Sequence, residues 1–489
     1  MRGIRAGSVK VSSAAAAFVA ALLLATGAGA QGVPAGTRVA PVLPLTHAGR
    51  WITDAAGRVV ITHGTNIVDK RTPFYPAATG FGNSDAAFLQ EIGFTAVRVG
   101  ILWQALEPAP GVFDDAYLRE IRSTVRMLAR HGIVSLLDFH QDEYSSEFGG
   151  DGFPRWAVDD RGAANTMNAF PQGYFSNLAV EAAFDSFWAD ARGPGGVGLQ
   201  ERYAAAWQHV AAFFAGNADV LGFELMNEPF VGTEYKDCNQ AGCPNDAELS
   251  RFERKVDVAI RSRDTRTLVF YEPFVSFTFG YPDAVKPLPD PESVFAWHDY
   301  CYSTPTCPNN ATDFPRALTH ANAGRAGDFL TEWGASSDAS ALAEIVALAD
   351  RNMVPWTEWA YCACGDPTGE PGEGIVIDPR KPKRGANLAL GTLGAIVEPY
   401  PHVIAGTPQH WGYVPATRRF TLSYTTTRAG TARRFAAGAV TSIEVPKPLY
   451  EDGYVVTVTG GMVVSEPGSA VLAIAARARA RTVTVSIRP

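Results

Sequence analysis

Between residues 59 and 361 the chain repeats one pattern eight times: a short apolar run, a polar loop, then a stretch with helical spacing. The runs are "VVITHGTNI" (59–67), "FTAVRVGI" (94–101), "IVSLLDFH" (133–140), "VLGFELMNE" (220–228), "TLVFYEP" (267–273), "VFAWHDY" (294–300), "DFLTEWG" (328–334) and "VPWTEWAY" (354–361). Runs so continuously apolar suit strands buried on both faces, as in a parallel sheet. The intervening "DDAYLREIRSTVRMLARHG" ends on basic residues and a glycine stop, which marks a helix. Eight strands alternating with helices predict an α/β fold, a (β/α)₈ TIM barrel over residues 46–403. A doubly wound open sheet uses the same alternation, and the count of eight favours the barrel. After about residue 405 the runs become short, β-branched and separated by Gly or Pro, as in "RRFTLSYTTT" and "RTVTVSI", which predicts a C-terminal all-β sandwich domain over residues 404–489.

Residues 1–30 read as a signal peptide: Arg2, Arg5 and Lys10 precede the apolar "AAAAFVAALLLA", and "AGA" ends at Ala30. That run is shorter than the roughly 20 residues a membrane span needs, so the mature protein is expected to be secreted, with no integral span. The net charge of −8 comes without a basic block, so nucleic acid is not an expected partner. The cysteines form three close pairs, Cys238 with Cys243, Cys301 with Cys307 and Cys362 with Cys364, which suits an oxidising compartment. Fifteen connectivities are open by count, and the single residue between Cys362 and Cys364 leaves cross-pairing among them. No second Cys-x-x-Cys or nearby histidine completes a zinc set, and neither a metal nor a cofactor is expected.

In a (β/α)₈ barrel the chemistry lies at the C-terminal ends of the strands. The polar residues there are Asn66, Arg98, His140, Asn227, Glu228, His298, Tyr300, Glu332 and Trp359, with no serine or cysteine nucleophile motif among them. A lone glutamate at a strand end is more often a cap or an ion-pair partner. Glu228 and Glu332, on strands four and seven, face each other across the barrel mouth, and two facing carboxylates are what glycosidic cleavage needs. Glu224 shares the inward face with Glu228 by period two and reads as a buried structural acid, with Arg98 as its partner. Glu358 has the opposite parity to Trp359 and is not expected to act. The insertion at residues 141–198 carries ten aromatics, Tyr144, Phe148, Phe153, Trp156, Phe170, Tyr174, Phe175, Phe184, Phe187 and Trp188, of which about half are expected to line an apolar cleft. "GPGGVG" (193–198) has nucleotide-loop spacing but follows a helical stretch, so it reads as a turn.

The "NEP" of strand four and the "TEWG" of strand seven resemble the acid/base and nucleophile motifs of glycoside hydrolase family 5, retaining glycosidases on (β/α)₈ barrels. The pattern extends to "VRVG", "WHDY" and "EWAY". The resemblance implies that Glu228 is the acid/base and Glu332 the nucleophile. It further implies that Asn227 binds the sugar 2-hydroxyl, that Tyr300 supports the nucleophile and Arg98 orients it, that His298 contacts substrate, and that Trp359 rather than Trp356 forms the sugar platform. "DFHQDEYSSEFGGDGFPRWA" (138–157) and "NIVDK" (66–70) are similar to segments of the endoglycoceramidases, implying that Lys70, His140 and Asp142 bind the sugar beside the scissile bond. The implied substrate is a glycosphingolipid, met in micelles or at a membrane surface, with the need for an activator protein left open. A family 5 glucanase or mannanase acting on soluble polysaccharide, and a non-catalytic glycolipid-binding protein, are the alternatives. The intact glutamate pair argues against the latter.

Overall fold

The computed structural model describes residues 39–301, 307–369 and 372–489, so the signal-peptide segment lies outside the described residues. Eight parallel strands close into a barrel: β1 (His63–Ile67), β2 (Ala96–Ile101), β3 (Val134–Phe139), β4 (Val220–Glu224), β5 (Leu268–Tyr271), β6 (Ser293–Asp299), β7 (Gly327–Trp333) and β8 (Trp356–Glu358). Every one of these strand residues is buried, which is why the runs read as continuously apolar. Helices cover the outside. In Asp115–Ala129, Asp114 caps the start by accepting the Ala116 and Tyr117 N–H groups, while Leu118, Ile121, Val125 and Leu128 pack inward. Removing such a cap costs ~1 kcal/mol. Gly64 in β1 has no room for a side chain, since a Cβ there would lie 2.0 Å from the Ala96 carbonyl oxygen.

The barrel interior is layered. At its floor Ala96, Leu136, Phe270, Ala296 and Phe329 pack together, closed from below by Leu45, Ile52 and Val60. Two residues further along their strands, the same inward positions carry Arg98, Asp138 and His298, and Glu224 joins them from β4. The apolar floor thus lies directly beneath a charged layer.

The seam between barrel and β-domain differs from the expected boundary at 403/404. A seven-stranded sheet takes its first three strands, Thr46–Ala48, Trp51–Thr53 and Val59–Val60, from before the barrel, and next to them lies Tyr400–Ile404. The run 59–67 is therefore two strands, Val59–Val60 in the outer sheet and β1 in the barrel. A four-stranded antiparallel sheet, Thr407–Val414, Arg419–Thr425, Thr482–Arg488 and Val455–Thr459, lies beside it. Their shared core holds Tyr400, Trp411, Phe420, Ile443, Leu472 and Ile487. Described helices include none long and apolar enough to cross a membrane.

At this seam Asp350 and Glu398 share a hydrogen bond, beside His63 and the Trp411 indole, which donates to Asp350 at 2.6 Å. Burial raises Asp350 to about 6, and burial and then Asp350 itself raise Glu398 well above the carboxylate range. A carboxyl raised on folding stabilises fully below its unfolded value, and that contribution is lost as pH rises through the folded one. Glu398→Gln keeps a neutral donor on Asp350 at every pH. It is expected to shrink the fall in Tm between about pH 5 and 8 relative to the parent protein; a fall of the same size in both would remove the pair from the seam's stability.

The insertion aromatics do not behave as expected. Tyr144, Phe148, Phe153, Tyr174, Phe184, Phe187 and Trp188 are buried in the main core, in stacked and edge contacts with one another and with Tyr203 and Phe252. Phe170 is the one of the ten that lines the central cavity. So many rings in one segment find each other before they find a cleft, because mutual packing removes more apolar surface from water. Disulfides join Cys238 to Cys243, Cys301 to Cys307 and Cys362 to Cys364, with no cross-pairing. "GPGGVG" forms a short turn with Gly195 at φ 75°.

Candidate active site

Glu332 reaches the barrel mouth through an irregularity. Phe329 points to the floor, so strict alternation would send Thr331, not Glu332, inward. The β6–β7 register shifts between Leu330 and Glu332, setting Glu332 opposite His298. The displaced Thr331 carbonyl is taken up by Asn66 Nδ2 at 3.0 Å and Thr357 Oγ1 at 2.6 Å. Glu228 also departs from alternation: β4 ends at Glu224, and Glu228 sits in a left-handed conformation, φ 43°, just before Pro229. Period two from Glu224 therefore does not carry to Glu228; a turn places it.

These two departures bring the carboxyls together. His298 Nδ1 lies 2.9 Å from Glu228 Oε1 and 3.5 Å from Glu332 Oε2, and an oxygen of each carboxyl falls within 4.8 Å of the other. That bound falls on the side of the ~5 Å separation of a retaining pair rather than the ~6.5–9.5 Å of inverting enzymes. Tyr300 Oη donates to Glu332 Oε2 at 2.7 Å, and Arg98 Nη1 donates to Glu332 Oε1. Arg98, fully buried, also donates to Asn66 Oδ1 (3.1 Å), Asn227 Oδ1 (2.9 Å) and Glu224, with Asp138 at 3.1 Å. Asn227 Nδ2 donates to the Gln141 carbonyl, so its amide is held at both ends.

A cavity of about 350 Å³ opens beside the pair. Glu228, Glu332 and Tyr300 line it together with Lys70, His140, Asp142, Trp359, Glu373 and the apolar Phe170–Pro171 edge. Lys70 is buried, which is unusual for a loop lysine: Nζ meets Asp142 at 2.6 Å, Asp366 at 2.9 Å and Thr368 Oγ1 at 2.6 Å, and lies 4.6 Å over the Trp359 ring. His140 stacks on Trp359 with ring centres 5.3 Å apart and is fixed by Asp138 at 2.7 Å. Trp356 instead packs in the barrel wall against His63 and Trp333.

The environments of the two glutamates pull in opposite directions. Burial raises Glu228 above the ordinary carboxylate range, opposed by His298 and assisted by the charges of Glu332 and Asp142. For Glu332 burial also acts upward and is the largest single effect, but His298, Arg98, His140 and the Tyr300 hydrogen bond together bring it below that range. His298 is raised despite its burial by both carboxylates, and Asp138 lifts His140 to about 10. The two carboxyls are thus pushed apart, Glu228 toward holding its proton and Glu332 toward its charge, the division of labour that acid catalysis and nucleophilic attack require. Glu228, His298 and Glu332 also have a cation's ligand spacing, and Glu332 among them is ion-paired with the Arg98 guanidinium.

Of the residues named from sequence, Glu228, Glu332, Lys70, His140, Asp142, Tyr300 and Trp359 line one cavity. His298 lies behind the pair, touching both carboxyls; Arg98 and Asn227 form the support beneath. Glu224 is the Arg98 partner, and Glu358 is buried against Thr65. Sequence reasoning missed Glu272, whose Oε2 accepts the Glu228 N–H at 3.1 Å; the "YEP" ending strand five, parallel to "NEP", is the signal for it. It also missed Asp366, Thr368 and Glu373, which lie in the loop after β8 without any periodic pattern.

Comparison with known proteins agrees with this geometry. The Cellulase (glycosyl hydrolase family 5) profile matches residues 54–365, and that of the glycoside hydrolase family 5 C-terminal domain matches residues 399–488. The endoglycoceramidase I of Rhodococcus hoagii is 30% identical over 459 residues, spanning 89% of this chain and 86% of that protein. The endoglycoceramidase of Cyanea nozakii is 27% identical over 412 residues, spanning 77% and 80%. Among solved structures, the lactosyl-enzyme intermediate of Rhodococcus sp. endo-glycoceramidase II aligns with a TM-score of 0.73 and 27% identity, covering 89% of this chain and 98% of that one. The same enzyme's ganglioside GM3 complex aligns with a TM-score of 0.73 and 26% identity, covering 90% and 99%. The chain belongs to glycoside hydrolase family 5, as an endoglycoceramidase-like retaining glycosidase.

Proposed function

We propose that this protein is a secreted endo-β-glycosidase that hydrolyses the bond between the oligosaccharide and the ceramide of glycosphingolipids. The observation that carries the mechanism is the carboxyl pair with an oxygen of each within 4.8 Å of the other, in surroundings that shift the two acids in opposite directions. Glu332 attacks the anomeric carbon while Glu228 protonates the departing ceramide oxygen; Glu228 then takes a proton from water, which releases the glycan with retained configuration. Lys70, His140, Asp142 and Trp359 receive the sugar at the scissile bond, and the Phe170–Pro171 edge offers the cavity's apolar contact to the lipid. Asn227 contributes by fixing Arg98, with one Nδ2 proton left for the 2-hydroxyl. The glycolipid substrate is supported by relatives of that activity aligning along most of the chain. Secretion rests on the N-terminal leader pattern.

The decisive assay incubates the mature protein with lactosyl-, ganglio- and galactosyl-linked glycosphingolipids in detergent and identifies the products by mass spectrometry. Intact oligosaccharide plus free ceramide supports the reading. Hydrolysis of a soluble β-glucan or mannan, with the glycolipids untouched, would replace it. For the substrate that is cleaved, kcat/KM is expected to rise as Glu332 ionises below the ordinary carboxylate value of ~4.3 and to fall as Glu228 loses its proton above it. The optimum lies between the two values; a kcat/KM that did not fall on the alkaline side, or that fell only after Glu228 was replaced, would contradict these directions.

A further inference from the structure

We propose that Glu272 is a positioning residue for Glu228: its carboxyl oxygen holds the acid/base by its main-chain N–H and lies against the far side of His298. The inference rests on the assignment of Glu228 as acid/base. Glu272 follows β5 as Glu228 follows β4, each immediately before a proline. Its Oε2 accepts the Glu228 N–H at 3.1 Å, and Glu228 is in the left-handed region at φ 43°, where a side chain larger than glycine is disfavoured without such a tie. The same oxygen lies 3.5 Å from His298 Nε2, while His298 Nδ1 lies 2.9 Å from the Glu228 carboxyl. Glu272 therefore touches the acid/base by two routes, through its backbone and through the imidazole.

Between these groups is a separate void of about 10 Å³, bounded in part by Glu228, Glu272, Thr278 and His298. It has room for about one water bridging the polar atoms. The charged groups facing Glu272 are Glu224, Arg98, Asp138 and Glu332. From the helix Asp246–Arg261, Glu253 accepts the Glu272 N–H at 3.0 Å. Burial and the Glu224 charge hold Glu272 well above the carboxylate range, against the pull of Arg98. That direction favours its neutral form, and glutamine keeps its shape and an acceptor oxygen.

A residue that positions the acid/base affects bonds needing a proton and spares those that do not. The test compares Glu272→Met, Glu272→Gln and Glu228→Ala on a glycosphingolipid and on a dinitrophenyl β-lactoside, whose leaving group departs unassisted. Glu272→Met is expected to lower kcat/KM on the lipid about a hundredfold or more, and on the dinitrophenyl glycoside by less than about fivefold. Glu272→Gln is expected to restore the lipid activity to within about tenfold of the parent. Should the methionine variant not fold, Glu272→Asp, which withdraws the acceptor by one methylene, is expected to show the same leaving-group-dependent loss. Equal losses on both substrates, no loss, or a glutamine variant as poor as methionine or aspartate would overturn the proposal. If Glu228→Ala itself shows no leaving-group dependence, it is the acid/base assignment that fails. If Glu228→Ala shows that dependence and Glu272→Met does not, only the Glu272 inference fails.

Discussion

Glu332→Gln is expected to reduce glycolipid turnover by about a hundred-thousand-fold, or ~7 kcal/mol at 1.36 kcal/mol per tenfold. The amide is a poor nucleophile and cannot form the glycosyl ester, so the covalent step is lost rather than slowed. The site itself persists. Arg98 keeps Glu224, Asp138, Asn66 and Asn227, and Tyr300 still has an oxygen to donate to. The cavity wall formed by Lys70, Asp142, His140 and Trp359 shares none of its hydrogen bonds with Glu332. Substrate affinity, measured calorimetrically on the variant, is therefore expected to stay within about tenfold. Loss of turnover with retained binding separates an enzyme from a glycolipid-binding protein, in which the same substitution would leave function nearly untouched.

Arg98→Met is expected to be the most destabilising single change in the barrel interior. Its guanidinium is fully buried and serves Glu332, Glu224 and Asp138 directly, with Glu272 at 3.7 Å. Removing one partner from a buried ionic cluster leaves uncompensated charge and costs ~3–5 kcal/mol. Methionine keeps much of the stem's volume, so a cavity is not the main cause. The carboxylates left behind escape by taking up protons, and their pKa values rise. A raised folded-state value gives stability at low pH that is lost as pH rises, so the Arg98→Met deficit is expected to be smaller near pH 5 than near pH 8. Lysine is not expected to rescue, because one ammonium cannot reach the four sides that a planar fork serves. Chemical denaturation at the two pH values measures this; a deficit below about 1 kcal/mol at both would mean that the acids are already neutralised among themselves.

What the sequence made legible depended on whether a residue's neighbours were local. The eight barrel strands announce themselves because burial on both faces leaves no polar interruptions, and their ends gave the glutamates, Tyr300, His140 and Trp359. The orientation of Glu332 rests on the register shift at Thr331, and that of Glu228 on a left-handed turn; neither leaves a periodic trace. Lys70 reads as a solvated loop lysine until the folded chain brings Asp142, Asp366 and Thr368 around it, residues 72, 296 and 298 positions away in the numbering. The outer sheet was misread at its edges for a related reason: Val59–Val60 and His63–Ile67 are one apolar run in sequence but pair with partners in different sheets. The insertion aromatics were overread because a ring's composition says that it will be buried, and not against what.

The most direct single measurement is proton NMR of the glycan released in the first minutes of reaction on a ganglioside, before its reducing end mutarotates. Attack by Glu332 followed by water activated at Glu228 is expected to give the intact oligosaccharide first as the β-anomer, with free ceramide alongside. An α-anomer appearing first, or release of single sugars from the far end of the glycan, would contradict it.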